Sequence, residues 1–136
     1  SSNSGSADVL TELGINIKSN IQEVENSLNE NNICFMFAPL YYSPLKNIAH
    51  IRKEIGVTIF NFLGPLLNPA NTKLQLIGTS NQKTMEKMAF CLKENKCQTA
   101  FIVHGLDGMD EITITDNSII QEIKNNQIHP PKIFNP

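Results

Sequence analysis

The stretch FIVHGLDGMDEITIT, Phe101–Thr115, runs from an apolar strand pattern through an acidic loop into a second alternating pattern. The loop carries three carboxylates, those of Asp107, Asp110 and Glu111. It is either an ordinary solvated turn or a binding site for a cation. The second reading is open because carboxylates at the end of a rigid strand are hard oxygen ligands. Taken alone, the loop favours the solvated turn, so the choice depends on the rest of the chain.

If a cation binds in this loop, Mg²⁺ is the natural candidate, because it takes one or two protein carboxylates and fills its octahedron with water and phosphate oxygens. Asp110 and Glu111 are adjacent and would serve such ions if the loop turns both side chains inward. In a strand they would point to opposite faces. His104 is expected to form a hydrogen bond at the strand end, since no second His or Cys lies near it at a zinc spacing.

Strand-like and helical segments alternate before this stretch, and strand patterns continue after it. The predicted strands are CFMF (34–37), TIFNFL (58–63), KLQLIG (73–78), residues 101–104 of the opening stretch, EITIT (111–115) and SIIQEIK (118–124). KNNQI (124–128) predicts a turn. Alternation of this kind predicts an α/β fold with a mainly parallel sheet flanked by helices, ending in antiparallel strands near the C-terminus.

Three segments have helical patterns. Ser19 and Gln22 have the spacing of a capping box, with Ile21, Val24 and Leu28 following on one face. PLKNIAHIRKEIG (44–56) begins with a proline and stops at a glycine, as helices often do. After a cap at Ser80, a buried stripe is predicted, formed by Met85, Met88, Ala89 and Leu92.

Composition excludes several classes of function. The 136 residues are 40% hydrophobic and 18% charged, which is the composition of a single globular domain. The formal charge of −2 provides no general field for nucleic acid, and no apolar run approaches the roughly 20 residues of a membrane span. Three cysteines without a CxxC spacing suggest reduced thiols and a cytoplasmic protein.

Arg52 falls in the middle of the apolar face of the helix predicted over residues 44–56. A guanidinium directed at a core is costly unless it meets an anion. Two readings stay open: an internal salt bridge to Asp or Glu, or a clamp for a carboxylate or phosphate, for which the planar fork of Arg is well suited.

The N-terminal segment SSNSGSADVL (1–10) is a second candidate anion site. Small hydroxyl residues and Gly5 lead directly into a predicted helix, so backbone N–H groups and serine hydroxyls could cradle a phosphate at the positive end of the helix dipole. The competing reading is a simple serine cap.

Five motifs together resemble anthranilate phosphoribosyltransferase, an enzyme family of tryptophan biosynthesis. They occur in the family's order and approximate spacing and cover essentially all 136 residues: SSNSGSADVLTELG, CFMFAPLYYSPLKNIAHIRKEIG, TIFNFLGPLLNPA, LQLIG and VHGLDGMDEIT. The resemblance implies the large α/β domain of the nucleoside phosphorylase and phosphoribosyltransferase type.

The resemblance also implies an activity. Family members transfer the 5-phosphoribosyl group from phosphoribosyl diphosphate to anthranilate and release diphosphate, with Mg²⁺ as cofactor. Ser1, Ser2 and Ser6 fall where the family contacts phosphoribosyl diphosphate, and Arg52 falls where it holds anthranilate. The metal-binding acidic pair of the family corresponds to Asp110 and Glu111. No side-chain nucleophile is expected, and Arg52 and the acidic pair are predicted to line one pocket.

The chain departs from the family pattern in extent. The family's GTGGD and KHGN motifs do not occur in residues 1–136, so we expect this chain to be the central part of a large α/β domain, without the helical N-terminal domain or the C-terminal part, and inactive alone. The parent enzyme is expected to be a cytoplasmic homodimer. Two alternatives remain open. The missing Gly-rich loop favours a noncatalytic binding or interaction module on the same scaffold, whereas an enzyme for another aromatic amine would fit Tyr42, which replaces a common His, and GVTIFN (56–61), which is one residue short.

Overall fold

A computed structural model describes residues 5–41 and 60–136. The chain divides into two compact units, Ser1–Val57 and Thr58–Pro136. In its described residues, the first unit has three helices: α1 (Ser6–Glu12), α2 (Ile21–Asn31) and α3 (Ala38–Tyr41). Within the described residues, no helix is long and apolar enough to cross a membrane.

The N-cap of helix α2 lies one residue after the predicted cap, Ser19. The cap is Asn20, whose side-chain oxygen accepts the Glu23 N–H at 3.0 Å, while the Glu23 carboxylate accepts the Asn20 N–H at 2.9 Å. The capping box predicted at Ser19 and Gln22 is therefore displaced by one position. Of the predicted apolar face, Val24 is buried, whereas Ile21 and Leu28 are exposed.

Two short apolar runs predicted as strands are not strands. Residues 33–37 have no regular structure. Of the strand predicted over residues 58–63, only residues 60–63 are described, and they belong to a helix, α4 (Phe60–Leu66). A short apolar run has no periodicity that separates a strand from a buried helix, so packing rather than the local pattern decides between them.

The second unit contains a five-stranded sheet. Its strands are β1 (Leu74–Gly78), β2 (Thr99–Gly105), β3 (Ser118–Lys124), β4 (Gln127–Ile128) and β5 (Lys132–Phe134), and helix α5 (Gln82–Glu94) connects β1 to β2. The order is β1-β2-β3-β4, with β5 also paired to β3. β1 and β2 are parallel, and the remaining pairs are antiparallel. The α/β class with antiparallel strands toward the C-terminus is confirmed, as an open sheet flanked by helices. Among the described strands this sheet is mixed rather than mainly parallel, because β3 follows β2 through a loop without the crossover that a parallel pairing needs.

Helix α5 covers one face of this sheet and forms the core with it. The N-cap of the helix is Asn81, whose side-chain oxygen accepts the Thr84 N–H at 2.9 Å. It lies one residue after Ser80, the predicted cap. The predicted stripe is confirmed, because all four of its side chains are buried against strand residues. The strand residues in this core are Ile77, Ala100, Ile102, Ile119 and Ile123.

The turn predicted at KNNQI is also confirmed. Asn125 and Asn126 have positive φ angles of 51° and 61° and connect β3 to β4. Asparagine is well suited to this left-handed region, because its short polar side chain lowers the cost of a positive φ.

Candidate metal-binding loop

The acidic loop leaves the carboxyl end of β2, beside the carboxyl end of the parallel strand β1. In open α/β sheets this edge is where ligands usually bind. The loop packs directly on β1: a Cβ added at Gly78 would lie 1.7 Å from the carbonyl oxygen of Asp110. Only glycine at the last position of β1 leaves room for the loop backbone, so the fold itself places the acidic pair against the sheet edge.

Asp107 joins the two ends of the loop. One carboxylate oxygen, Oδ2, accepts hydrogen bonds from the hydroxyls of Thr113 and Thr115, each at 2.5 Å. The other oxygen, Oδ1, accepts the Met109 N–H at 3.1 Å. This carboxylate is engaged inside the loop, which separates its role from that of the other two acidic residues.

The segment 111–115 was predicted as a strand, and this prediction is wrong. Its residues form bends and irregular backbone that pairs with no strand. The Thr113 N–H donates to the Ser118 hydroxyl at 3.0 Å, and the Thr115 N–H donates to the Thr113 hydroxyl at 3.1 Å. Local bonds between side chains and backbone thus replace strand pairing, which is a common effect of Thr and Ser in loops.

A tight turn at the start of the loop completes its frame. The Gly105 N–H donates to the Met109 carbonyl and the Gly108 N–H to the Gly105 carbonyl, both at 2.9 Å. Gly108 has a φ of +96°, a conformation in which a side chain would be strained. At Gly105, a Cβ would lie 2.6 Å from Asp107 Oδ1, so the Asp107 carboxylate occupies the space that a side chain would need.

Asp110 and Glu111 are both exposed and lie in the bent part of the loop. Because they are not in a strand, the strand geometry that would direct them to opposite faces does not apply. In the part of the chain that the structure describes, no group of three or more His, Cys, Asp and Glu side chains is arranged to hold a metal ion. Two exposed carboxylates fit Mg²⁺ nevertheless, since this ion is usually held by one or two protein carboxylates together with water and phosphate oxygens.

His104 acts as predicted, as a hydrogen-bonding residue at a strand end. Its Nδ1 lies 3.0 Å from the carbonyl oxygen of Thr79, and the Thr79 N–H donates to the Val103 carbonyl at 3.0 Å. The imidazole therefore ties the residue after β1 to β2 and supports the edge on which the acidic loop rests.

A family model described as "Glycosyl transferase family, a/b domain" matches residues 1–134 of this chain. The chain belongs to this family. Among its curated relatives are anthranilate phosphoribosyltransferases of Clostridium kluyveri, 49% identical over 129 residues, and of Acetivibrio thermocellus, 43% identical over 135 residues. The alignments cover 94% and 98% of this chain but 38% and 39% of the relatives.

Solved structures of this glycosyl transferase family have the same fold. The anthranilate phosphoribosyltransferase of Saccharomyces cerevisiae in complex with PRPP and Mg superposes with a TM-score of 0.83 at 26% identity, over 97% of this chain and 36% of that one. The same yeast enzyme in complex with 4-fluoroanthranilate gives a TM-score of 0.82 at 25% identity, over 96% and 37%. The resemblance drawn from the five motifs is confirmed.

The serine-rich segment of this glycosyl transferase family member leads into a helix as predicted. Ser6 is the first residue of α1 and is exposed, and the helix is capped at Gly5, whose N–H donates to the Asp8 carboxylate at 2.8 Å. The cap therefore comes from Asp8 rather than from a serine hydroxyl. Ser1 and Ser2 lie outside the described residues.

The helix predicted over residues 44–56 also lies outside the described residues, together with Arg52 and Tyr42. The predicted contact of Arg52 with anthranilate and its place in one pocket with Asp110 and Glu111 stay predictions.

The Asp107 carboxyl gives this loop a pH dependence. The hydrogen bonds that it accepts from Thr113, Thr115 and the Met109 N–H, in decreasing order of effect, lower its pKa below the ordinary value of an aspartate. Because the pKa is lowered on folding, the stabilisation by Asp107 is fully present above the unfolded pKa and is lost as pH falls through the folded pKa. We expect Asp107→Asn to unfold more easily than wild type at pH 7, and the difference in stability to narrow as the pH falls below about 4.

Denaturant titrations of both proteins at a series of pH values measure this difference. Asp116→Asn serves as the matched control, because the Asp116 carboxylate is exposed and accepts only the neighbouring Asn117 N–H among the described contacts. A difference in stability between Asp107→Asn and wild type that stays constant from neutral to acid pH would contradict a lowered pKa of Asp107.

Proposed function

We propose that this chain is part of an anthranilate phosphoribosyltransferase, an enzyme that transfers the 5-phosphoribosyl group of phosphoribosyl diphosphate to the amine of anthranilate and releases diphosphate. The observation that carries the proposal is the identity of 49% over 129 residues with the Clostridium kluyveri enzyme of that name. Since the chain spans about 38% of that relative, the activity is assigned to the full-length protein, and the chain alone is expected to be inactive.

The acidic loop supports a Mg²⁺-dependent mechanism. A yeast enzyme of the same fold has been solved with PRPP and Mg, and in this chain Asp110 and Glu111 would hold the ion at the sheet edge. When bound, the ion acts as a Lewis acid that stabilises the negative charge developing on the leaving diphosphate. The two carboxylates fix the position of the ion, and their loop is in turn fixed by its packing on Gly78.

The substrate-binding residues are proposed from the matching motif positions. Ser1, Ser2 and Ser6 are assigned to phosphoribosyl diphosphate, which fits the small hydroxyl side chains at the start of a helix. Arg52 is assigned to the carboxylate of anthranilate, for which its guanidinium is suited. No side chain is assigned as a nucleophile, so the protein contributes mainly by positioning and electrostatic stabilisation.

The organisation of the full-length protein is part of the same proposal. We assign residues 1–136 to the central part of its large α/β domain, with a helical domain and a C-terminal part elsewhere in the protein. The proposal includes a cytoplasmic homodimer that acts on small molecules, without a nucleic-acid or membrane partner.

The assay of the full-length protein measures diphosphate release with phosphoribosyl diphosphate and anthranilate, with and without Mg²⁺. We expect release that requires all three. Release with another aromatic amine but not with anthranilate would indicate a different acceptor. A folded protein that releases no diphosphate with any aromatic amine would instead support a noncatalytic module on the same scaffold, and would overturn the proposal.

A further inference from the structure

We propose that Asp107 is a positioning residue for the metal-binding pair: its carboxylate closes the loop and thereby sets the place of Asp110 and Glu111, without itself binding the ion. This inference rests on the proposed function, because it assigns a role relative to the proposed Mg²⁺ site. It divides the three carboxylates of the loop into one that shapes the site and two that contact the ion.

Hydrogen bonds to the Asp107 carboxylate close the loop. Asp107 accepts hydrogen bonds from Met109 on one side and from Thr113 and Thr115 on the other, so the chain from residue 107 to residue 115 forms a closed ring. Asp110 and Glu111 are part of the chain that forms this ring. Any change that opens the ring frees the backbone that carries both of them.

Three of the roughly four lone-pair sites of the Asp107 carboxylate already accept a hydrogen bond. Oδ2 accepts two hydroxyl protons and Oδ1 accepts one backbone N–H. A carboxylate oxygen has room for about two donors, so Oδ2 has no free position for a cation without losing a threonine. The hydroxyls need an acceptor that carries no hydrogen, and bonds to an ionised carboxylate are roughly twice as strong as neutral ones.

The packing around the ring is tight. Gly105 leaves room for the Asp107 carboxylate, and Gly78 leaves room for the Asp110 backbone. Thr113, whose hydroxyl bonds Asp107, is buried with 2% of its surface exposed. The ring is thus held against the ends of two strands, which is the rigid support that a precisely placed ligand pair requires.

A pair of variants at Thr115 tests this role with little change of shape. Thr115→Val removes one hydroxyl donor to Asp107 and keeps the size of the side chain, whereas Thr115→Ser keeps the hydroxyl. Thr115 is exposed, so neither change disturbs the core. Asp107→Asn removes the charged acceptor, and Asp116→Asn is its matched control.

The measurement is Mn²⁺ binding to the full-length protein with phosphoribosyl diphosphate, followed by electron paramagnetic resonance, with Mn²⁺ as the probe for Mg²⁺. We expect Asp107→Asn to weaken Mn²⁺ binding roughly 10- to 100-fold, as for other residues that orient metal ligands. Thr115→Val is expected to weaken it by a smaller factor, while Thr115→Ser and Asp116→Asn bind as wild type does. Amide hydrogen exchange at Met109 and Thr113 should rise in Asp107→Asn and Thr115→Val alone.

Three results would overturn the inference. The first is unchanged Mn²⁺ affinity in folded Asp107→Asn. The second is loss of binding in Asp107→Asn together with wild-type binding in Thr115→Val, which would make Asp107 a direct ligand. The third is a wild-type protein that binds no Mn²⁺. Failure of the proposed function looks different, because a protein that binds Mn²⁺ with phosphoribosyl diphosphate but shows no anthranilate-dependent release leaves the role of Asp107 intact.

Discussion

Changing Asp110 to Asn and Glu111 to Gln together in the full-length protein is expected to lower the proposed Mg²⁺-dependent diphosphate release by roughly 100-fold or more. The two amides keep the size of the side chains but remove both negative charges that would hold the ion. Without a fixed ion, the leaving group of the proposed reaction would lose the Lewis acid that stabilises its developing charge. The effect should appear at saturating phosphoribosyl diphosphate and should be partly relieved by raising the Mg²⁺ concentration.

The control for this double variant is Asp116→Asn with Glu94→Gln, which removes one Asp and one Glu charge from exposed positions outside the pair. The net charge of both proteins changes equally, so a general electrostatic effect would appear in both. Rates within a factor of about two of wild type are expected for the control. Equal activity in the two double variants would show that the acidic pair does not hold the ion.

Replacing Gly78 by Ala is expected to damage the site through the backbone, without changing any charged group. The new Cβ would lie 1.7 Å from the carbonyl oxygen of Asp110, a distance that no contact between such atoms tolerates. The loop must move away from β1, and overpacking of this kind typically costs about 1–3 kcal/mol. Because the displaced backbone carries the acidic pair, Mn²⁺ affinity should fall together with stability.

The matched control is Gly64→Ala. A Cβ at Gly64 meets no described heavy atom within 4 Å, and the residue lies inside helix α4. The gain of roughly 0.5–1 kcal/mol for alanine over glycine in a helix is opposed here by Pro65, whose ring disfavours a helical conformation for a preceding residue that carries a Cβ. We therefore expect Gly64→Ala to change stability less than Gly78→Ala does and to leave Mn²⁺ affinity unchanged. Denaturant unfolding and Mn²⁺ titration of the full-length variants measure both effects. Equal stability of the two variants would contradict the close packing at Gly78.

Patterns of sufficient length predicted their elements well. The stripe of α5, the strands β1, β2 and β3 and the asparagine turn after β3 agree with the sequence, because each has a repeated apolar period or a strong turn signal. Boundaries were less certain: the caps lie at Asn20 and Asn81, each one residue beyond the predicted position. Several polar residues stand in a row at these places, and only the local backbone determines which one caps.

Three predicted strands differ from the structure, for two reasons. Residues 34–37 and the described part of the strand predicted over 58–63 are short apolar runs without a period, whereas residues 111–115 alternate but lack a partner strand. In the last case the hydroxyls of Thr113 and Thr115 donate hydrogen bonds to Asp107, a residue of the preceding turn. The alternating pattern predicted pleating, but the side chains are used for loop closure.

Composition, periodicity and motif order are properties of the linear chain, and they are enough to predict the α/β class, the family and an acidic pair after an apolar strand. They do not predict that two threonine hydroxyls donate to Asp107 or that the loop rests on Gly78. These contacts form when the loop folds over the ends of β1 and β2, and that packing joins segments about thirty residues apart in the chain.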